Sequence, residues 1–298
     1  MLDYASLAAV AAVVREGSFE RAARVLNVTT SAVSQRVKQL EERLGSVLIV
    51  RGQPCTATDK GRLLCRHVDQ VGLLEQELRA TLPKLGPTGV QEDRVTLRIA
   101  VNADSLGTWF MGALKTFVAA DNGLVDIALD HEDHTVEWLR SGEVLAAVTA
   151  HAQPVQGFNS VSLGSLNYLA VATPAYVQRY SPGGITAAAL AGAPSLKFDQ
   201  KDRFQQHWMR KVFRREIESP AHWFPSTQAF LDAALAGIGW GMNPSRLAQE
   251  HLKSGALVEL VPGRGLAVPL YWQHTRLQVP MLGRLTQAVV ETARKMLR

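Results

Sequence analysis

"TTSAVSQRVKQLEERLG", residues 29–45, decides how the rest of the chain is read. At about 100° per residue, Val33, Val37, Leu40 and Leu44 fall within one arc and are expected to face a core. Ser31, Ser34, Gln35 and Lys38 gather on nearly the opposite side, and each can bond a phosphate or a base edge in a major groove. Arg36 lies off that polar centre, placed for a phosphate or an acidic neighbour. Thr29 or Thr30 can cap the helix, because a hydroxyl there accepts from the unpaired amides of the first turn, and Gly45 stops it. Such a face is by itself only a solvated surface; its neighbours in sequence give it a use.

On the N-terminal side, "SFERAARVLN" (18–27) repeats Phe19, Ala22, Ala23 and Leu26 at helical spacing, with Gly17 before it and Asn27 to end it. A preceding helix is expected from about Tyr4 to Arg15. A short amphipathic helix, a tight turn and the 29–45 helix make a helix-turn-helix, whose second helix enters the groove N-terminus first. On the C-terminal side, "VLIVRGQPCTATDKG" (47–61) reads as a small hairpin or wing. Arg51 and Gln53 sit there, suited to the backbone or minor groove rather than to reading many bases.

From Asp59 a long polar helix places Leu64, Val71, Leu78 and Leu85 seven apart, with Leu74 between two of them, as a dimer seam would. His67 and Thr81 make the repeat imperfect, and packing on its own domain is the competing use. "KLGPTGVQEDR" (84–94) is the clearest linker. Beyond it, strand-like runs ("VTLRIAV", "VDIALD", "VLAAVTA", "LNYLAVA") alternate with helical ones ("SLGTWFMGALKTFVAA", "STQAFLDAALAGI"), the rhythm of an α/β fold with largely parallel strands.

Composition bounds the function. The 298 residues allow two domains, and 47% hydrophobic content supports proper cores. Thirty-two Lys and Arg against 27 Asp and Glu give a formal +5, compatible with a polyanionic partner. Two cysteines, Cys55 and Cys65, make no disulfide framework and fit a reducing compartment with inert thiols. "YASLAAVAAVV" (4–14) follows Asp3 rather than a basic segment and is too short to span a bilayer, so a cytoplasmic protein without a membrane partner is expected. No GxSxG elbow, Walker loop or strand-borne GxGxxG is present; "GIGWGMN" (237–243) places its glycines on a buried strand. His131 and His134 lack metal-site spacing. Neither catalysis, a metal nor a cofactor is expected.

The order "GSFERAARVLNVTTSAVSQRVKQLEERLG", then "VR" and "TATDKG", resembles the winged DNA-binding domain of LysR-type transcriptional regulators, and the layout behind it is similar over the whole chain. Thr30 stands where many members carry Gln, and Ile49 where Phe is usual. Thr30 cannot make the bidentate adenine contact that Gln makes. "AVNADSLGTWF", "EDHT", "LRSGEVLAAVT", "LNYLAVATP", "FDQKD" and "YWQ" resemble the arginine- and lysine-responsive, export-regulating subgroup of the ArgP/LysG type. That resemblance implies a winged helix-turn-helix over 1–58, a linker and dimerisation helix over 59–88, and an effector-binding α/β domain over 89–298. The effector domain would resemble periplasmic binding proteins, with lobe I at about 94–162 and 268–298 and lobe II at about 163–267. It further implies a homodimer or homotetramer, double-stranded DNA and RNA polymerase as partners, and lysine or arginine as effector.

In such a cleft, Asn102, Asp104 and Ser105 close the first strand and open its helix, where a hydroxyl and free amides can hold a carboxylate and Asp104 can face an ammonium. Glu132, Asp133, Asp199 and Asp202 are candidate partners for a lysine ammonium or an arginine guanidinium, Asp199 first among them. Ser226 and Thr227 offer hydroxyls, and Thr149 ends a strand that can point inward. For the acids and hydroxyls, capping or plain solvation explains the residue equally well. The expected function is sequence-specific regulation of a basic amino acid exporter gene. The alternatives are an origin-binding inhibitor of chromosomal replication initiation, which needs the same helix but no small ligand, and an amino acid sensor acting through protein partners.

Overall fold

A computed structural model describes residues 2–82, 96–120, 123–130, 135–277 and 279–297. The head begins with α1 (Tyr4–Glu16), where the Asp3 carboxylate accepts from the amides of Ala5 and Ser6. These bonds, with that from the Ser6 hydroxyl, hold the Asp3 carboxyl below its ordinary pKa. Helix α2 (Phe19–Val25) is capped by Ser18 and ends as Asn27 turns to φ 52°. Helix α3 (Thr30–Leu44) is capped by Thr29, whose hydroxyl accepts from Ala32 N at 3.2 Å, and ends at Gly45 in the left-handed region. Strands β1 (Ile49–Val50) and β2 (Thr56–Ala57) pair antiparallel as the expected wing.

Val33, Val37 and Leu40 are buried as the wheel requires, among Leu7, Val10, Ala22 and Leu48. Leu44 is not: it is 46% exposed, because α3 ends there and the chain doubles back to bury Leu48 and Ile49 instead.

Helix α4 (Asp59–Thr81) leaves the head with Leu64, Cys65 and Val68 packed against its core. Leu73, which the seven-residue repeat did not single out, is buried against the second domain's core. Leu74 and Leu78 are 43% and 52% exposed, leaving the seam uncovered within one chain; Leu85 lies outside the described residues.

The second domain contains β3 (Thr96–Asn102), α5 (Ala103–Ser105), one π-helical turn (Leu106–Phe110), α6 (Met111–Ala120), β4 (Leu124–Asp130), α7 (Thr135–Ser141), β5 (Ala146–Thr149) and β6 (Phe158–Ala172). It continues through α8 (Pro174–Tyr180), α9 (Ala187–Gly192), β7 (Ser195–Lys197), α10 (Phe204–Phe213), β8 (Ala221–Trp223), α11 (Thr227–Leu235), β9 (Gly241–Pro244), α12 (Ser245–Ser254), β10 (Val258–Glu259), β11 (Leu266–Thr275) and α13 (Pro280–Met296).

The expectation of largely parallel strands is corrected. β3 pairs parallel with β4 and β5, and β7 with β8, but the longest pairing, β6 with β11, is antiparallel, as are β6–β9, β6–β10 and β11–β5. Two long strands running opposite ways form the sheet's spine, and alternation of short strands with helices does not reveal their direction.

The register of that spine shifts between Leu270 and Tyr271, opposite Gly164. Gly164 has φ 104°, and a Cβ there would lie 3.1 Å from the Leu297 side chain. On one side of the bulge stand β3, β4 and β5; on the other, β9 and β10. "GIGWGMN" ends in buried β9, and a Cβ on Gly241 would meet the Phe230 ring at 2.5 Å, so the strand there touches α11 directly. Among the described residues no helix is long and apolar enough to cross a membrane, and no group of three metal-ligating side chains is placed to hold an ion.

Candidate DNA-reading face and interlobe pocket

The outer face of α3 presents Thr30, Ser31, Gln35 and Lys38 exposed, with Ser34 and Arg36 half-buried between them. Thr29 and Ser31 share a hydroxyl contact of 3.0 Å at the helix start, where unpaired amides and the helix dipole favour a phosphate. Lys38 lies 3.7 Å from Glu42, a pair exposed on both sides and therefore worth little, so the ammonium is available to DNA. Arg51 and Gln53 are exposed on the wing. The Arg51 guanidinium lies over the Phe19 ring at 5.3 Å, a contact with α2 that sequence reasoning missed.

In the second domain, a pocket of about 480 Å³, counting its open mouth, is lined by Ala103 and Asp104 on one side of the bulge. Phe198, Asp202, Phe204, Thr227, Phe230, Met242, Asn243 and Pro244 complete it. Its enclosed part is only about 30 Å³, so a small molecule enters where the lining parts. Asp104 is held from two directions: its Oδ1 accepts from the Thr227 hydroxyl and its Oδ2 from the Tyr168 hydroxyl, both at 2.8 Å. Thr227 opens α11, so this carboxylate ties the two parts of the domain together. Sequence reasoning missed Tyr168, since an aromatic residue in an apolar strand reads as core.

The two acids of "FDQKD" separate. Asp202 lines the pocket and is 3% exposed; its carboxylate accepts from Phe198 N and Phe204 N, both at 2.9 Å, and from Gln205 Nε2 at 3.2 Å. Asp199, the first choice from sequence, is not part of the lining. Its Oδ1 accepts from the amides of Lys201 and Asp202 at 2.7 and 3.0 Å, closing the turn that delivers Asp202.

Ser226 is exposed and caps α11 through Ala229 N. Thr149 is buried outside the lining, its hydroxyl accepting from His151 N at 3.2 Å. Asn102 and Ser105 are buried behind Asp104, and the Ser105 hydroxyl has no hydrogen-bond partner among the described residues. Glu132 and Asp133 lie outside the described residues.

A helix-turn-helix head joined by a long helix to a two-part ligand-pocket domain defines a class, the ligand-responsive DNA-binding regulator. The family comparisons agree at both ends: the LysR substrate binding domain matches residues 91–294, and the bacterial regulatory helix-turn-helix protein, lysR family, matches residues 4–62. The chain belongs to the LysR family of transcriptional regulators.

It is 45% identical over 288 residues to the HTH-type transcriptional regulator LysG of Mycobacterium tuberculosis, across 97% of this chain and 92% of that protein. The crystal structure of ArgP from Mycobacterium tuberculosis has a TM-score of 0.87 at 43% identity, covering 100% of this chain and 99% of that one. Full-length LysG from Corynebacterium glutamicum with bound effector Arg has a TM-score of 0.77 at 36% identity, with 100% of both chains covered.

Proposed function

We propose that this chain is a sequence-specific transcriptional regulator that responds to lysine or arginine and controls a basic amino acid exporter gene. The observation that carries the effector class is Asp104, an acid in the pocket gripped by hydroxyls from two directions. Its oxygens accept the Tyr168 and Thr227 hydroxyls, and a carboxylate fixed in this way at the pocket wall suits a ligand ammonium or guanidinium. The rings of Phe198, Phe204 and Phe230 line the same pocket, and apolar walls strengthen a charge pair that water would screen. The names of the relatives above, and the arginine in one of them, point to the same ligand class.

A cation seated at Asp104 interacts differently with an open and a closed cleft, and only such a difference can shift the balance between states. Leu73 of α4, packed against the effector-domain core, and Leu64, packed against the head, place one rigid helix between the pocket and α3. The exposed Leu74 and Leu78 support a homodimer or homotetramer built on α4. Operator DNA with pseudo-twofold half-sites is the partner of the heads, RNA polymerase a further partner, and the cytoplasm the setting.

Thermal melts with lysine, arginine, leucine and glutamate test the reading. A ligand that binds only the folded state adds about 2.7 kcal/mol at a hundredfold excess over Kd. Lysine or arginine should raise Tm in the parent, and Asp104→Asn should abolish the rise. A rise of equal size in the mutant, or a response to leucine or glutamate alone, rules out this effector class.

A further inference from the structure

Helix α10 carries a row of cations that neither the α3 face nor the interlobe pocket uses. Trp208 and Met209 are buried beneath it. On the opposite arc, Arg203, His207, Arg210 and Arg214 recur at helical spacing, all exposed, with exposed Lys201, Lys211 and Arg215 beside them. Within residues 201–215, six Lys and Arg side chains face one acid, Asp202, which is buried. The segment therefore holds a formal charge as large as the whole chain's +5.

The row is firmly mounted: Trp208 Nε1 donates to Arg264 O at 2.5 Å, and Lys211 Nζ donates to Gly265 O at 2.9 Å. Glu216 is 3.8 Å from Arg210 with both side chains largely exposed, which neutralises little.

Favourable contact with the negative end of the helix dipole accounts for Arg210, Lys211 and Arg214. It does not account for Lys201 and Arg203 at the opposite end, where the dipole disfavours cations. Arg214 also occupies a left-handed position, φ 56°, that glycine takes without strain. No large hydrophobic side chain is exposed on α10 or in the turns that flank it, and Trp223 is the nearest one along the chain. Guanidinium groups along about 16 Å of helix match a run of phosphates, which are recognised by charge and forked hydrogen bonds.

We propose that the α10 row is a second DNA contact, gripping the phosphate backbone of duplex that flanks the site read by α3, without reading bases. It rests on DNA binding by the head and adds sequence-independent affinity once the head is bound.

The test uses the full-length protein and three duplexes: an operator fragment of about 25 base pairs, the same operator within about 80, and an unrelated sequence of about 80. The triple variant Arg210→Gln/Arg214→Gly/Arg215→Gln removes three charges. Each phosphate contact contributes about 0.9 to the slope of log affinity against log salt. The variant should therefore lose about 2 to 3 from its slope on both long duplexes and bind them roughly tenfold more weakly. Its affinity for the short operator should be unchanged.

Arg214→Gly alone should keep or raise the melting temperature, separating charge from folding. The head variant Ser34→Ala/Gln35→Ala should lose operator preference while retaining the dependence on duplex length, so failure of the head and failure of α10 read differently. Parent and triple variant with equal slopes on long DNA would overturn the proposal. So would unchanged DNA binding with lost transcription activation, which would assign the row to an acidic protein surface.

Discussion

The head and the interlobe pocket are built from residues at very different distances along the chain. In the head, the capping Thr29, the buried Val33, Val37 and Leu40 and the outward Ser34 and Gln35 come from one stretch of α3. In the pocket, Asp104 meets a hydroxyl 64 residues away and another 123 residues away. A helix converts sequence spacing into a face, so its chemistry can be read from periodicity; a cleft between sheet halves does not. Local sites are therefore sensitive to a single core substitution, whereas assembled sites depend on how distant elements dock.

The largest effect should come from Val37→Asp. Val37 is 1% exposed, and an unpaired carboxylate there costs several kcal/mol, comparable with the stability of a small domain. DNA binding should vanish, while lysine or arginine still stabilises the effector domain's transition in calorimetry. Loss of both transitions would mean that the two regions fold as one unit. The next effect is at the surface of the same helix: Ser34→Ala/Gln35→Ala should weaken operator binding by about 10- to 1000-fold, at 1–3 kcal/mol for a lost base contact. Non-specific binding should hold. Unchanged operator affinity at moderate salt would show that this face reads no bases.

Most of the head was legible in sequence because caps, apolar spacing and the Gly45 stop all act within a turn or two. The exception, Leu44, sits where the helix ends and tertiary packing takes over. In the effector domain the alternation of elements was legible, while strand direction was not, since β6 and β11 find each other across about a hundred residues. For the pocket, the sequence-named residues divide between the lining and other roles. Asp104, Asp202 and Thr227 line it; Asp199 closes a turn and Ser226 caps a helix, two roles that use the same polar atoms as ligand contact would.

Smaller changes sharpen the contrast inside the pocket. Thr227→Val removes one of the two hydroxyls on Asp104 and should cost about 1 kcal/mol, read as a several-fold loss of effector affinity in calorimetric titration. Asp199→Asn keeps one acceptor oxygen for the turn and should leave effector affinity within about twofold, since side chains outside a contact rarely shift it by more than about 0.5 kcal/mol. A larger loss at Asp199 than at Thr227 would return the charge contact to the residue first favoured by sequence.

The last test concerns Cys65, on the α4 face packed against the head. Burial, then the neighbouring Asp69 carboxylate, pushes its thiol up to about 11. Both causes disfavour the thiolate, the form that reacts, so alkylation at pH 8 should run about a hundredfold slower than for a free thiol. The Asp69 carboxylate, itself exposed, binds Arg15 of α1 at 2.7 Å, so this small cluster lies across the joint between head and linker helix. If effector binding moves α4 against the head, Cys65 becomes more exposed and its alkylation accelerates with lysine or arginine present. If the head and α4 move together as one body, the rate stays low in both states, and the signal must pass instead through the exposed leucines of α4 to a second chain.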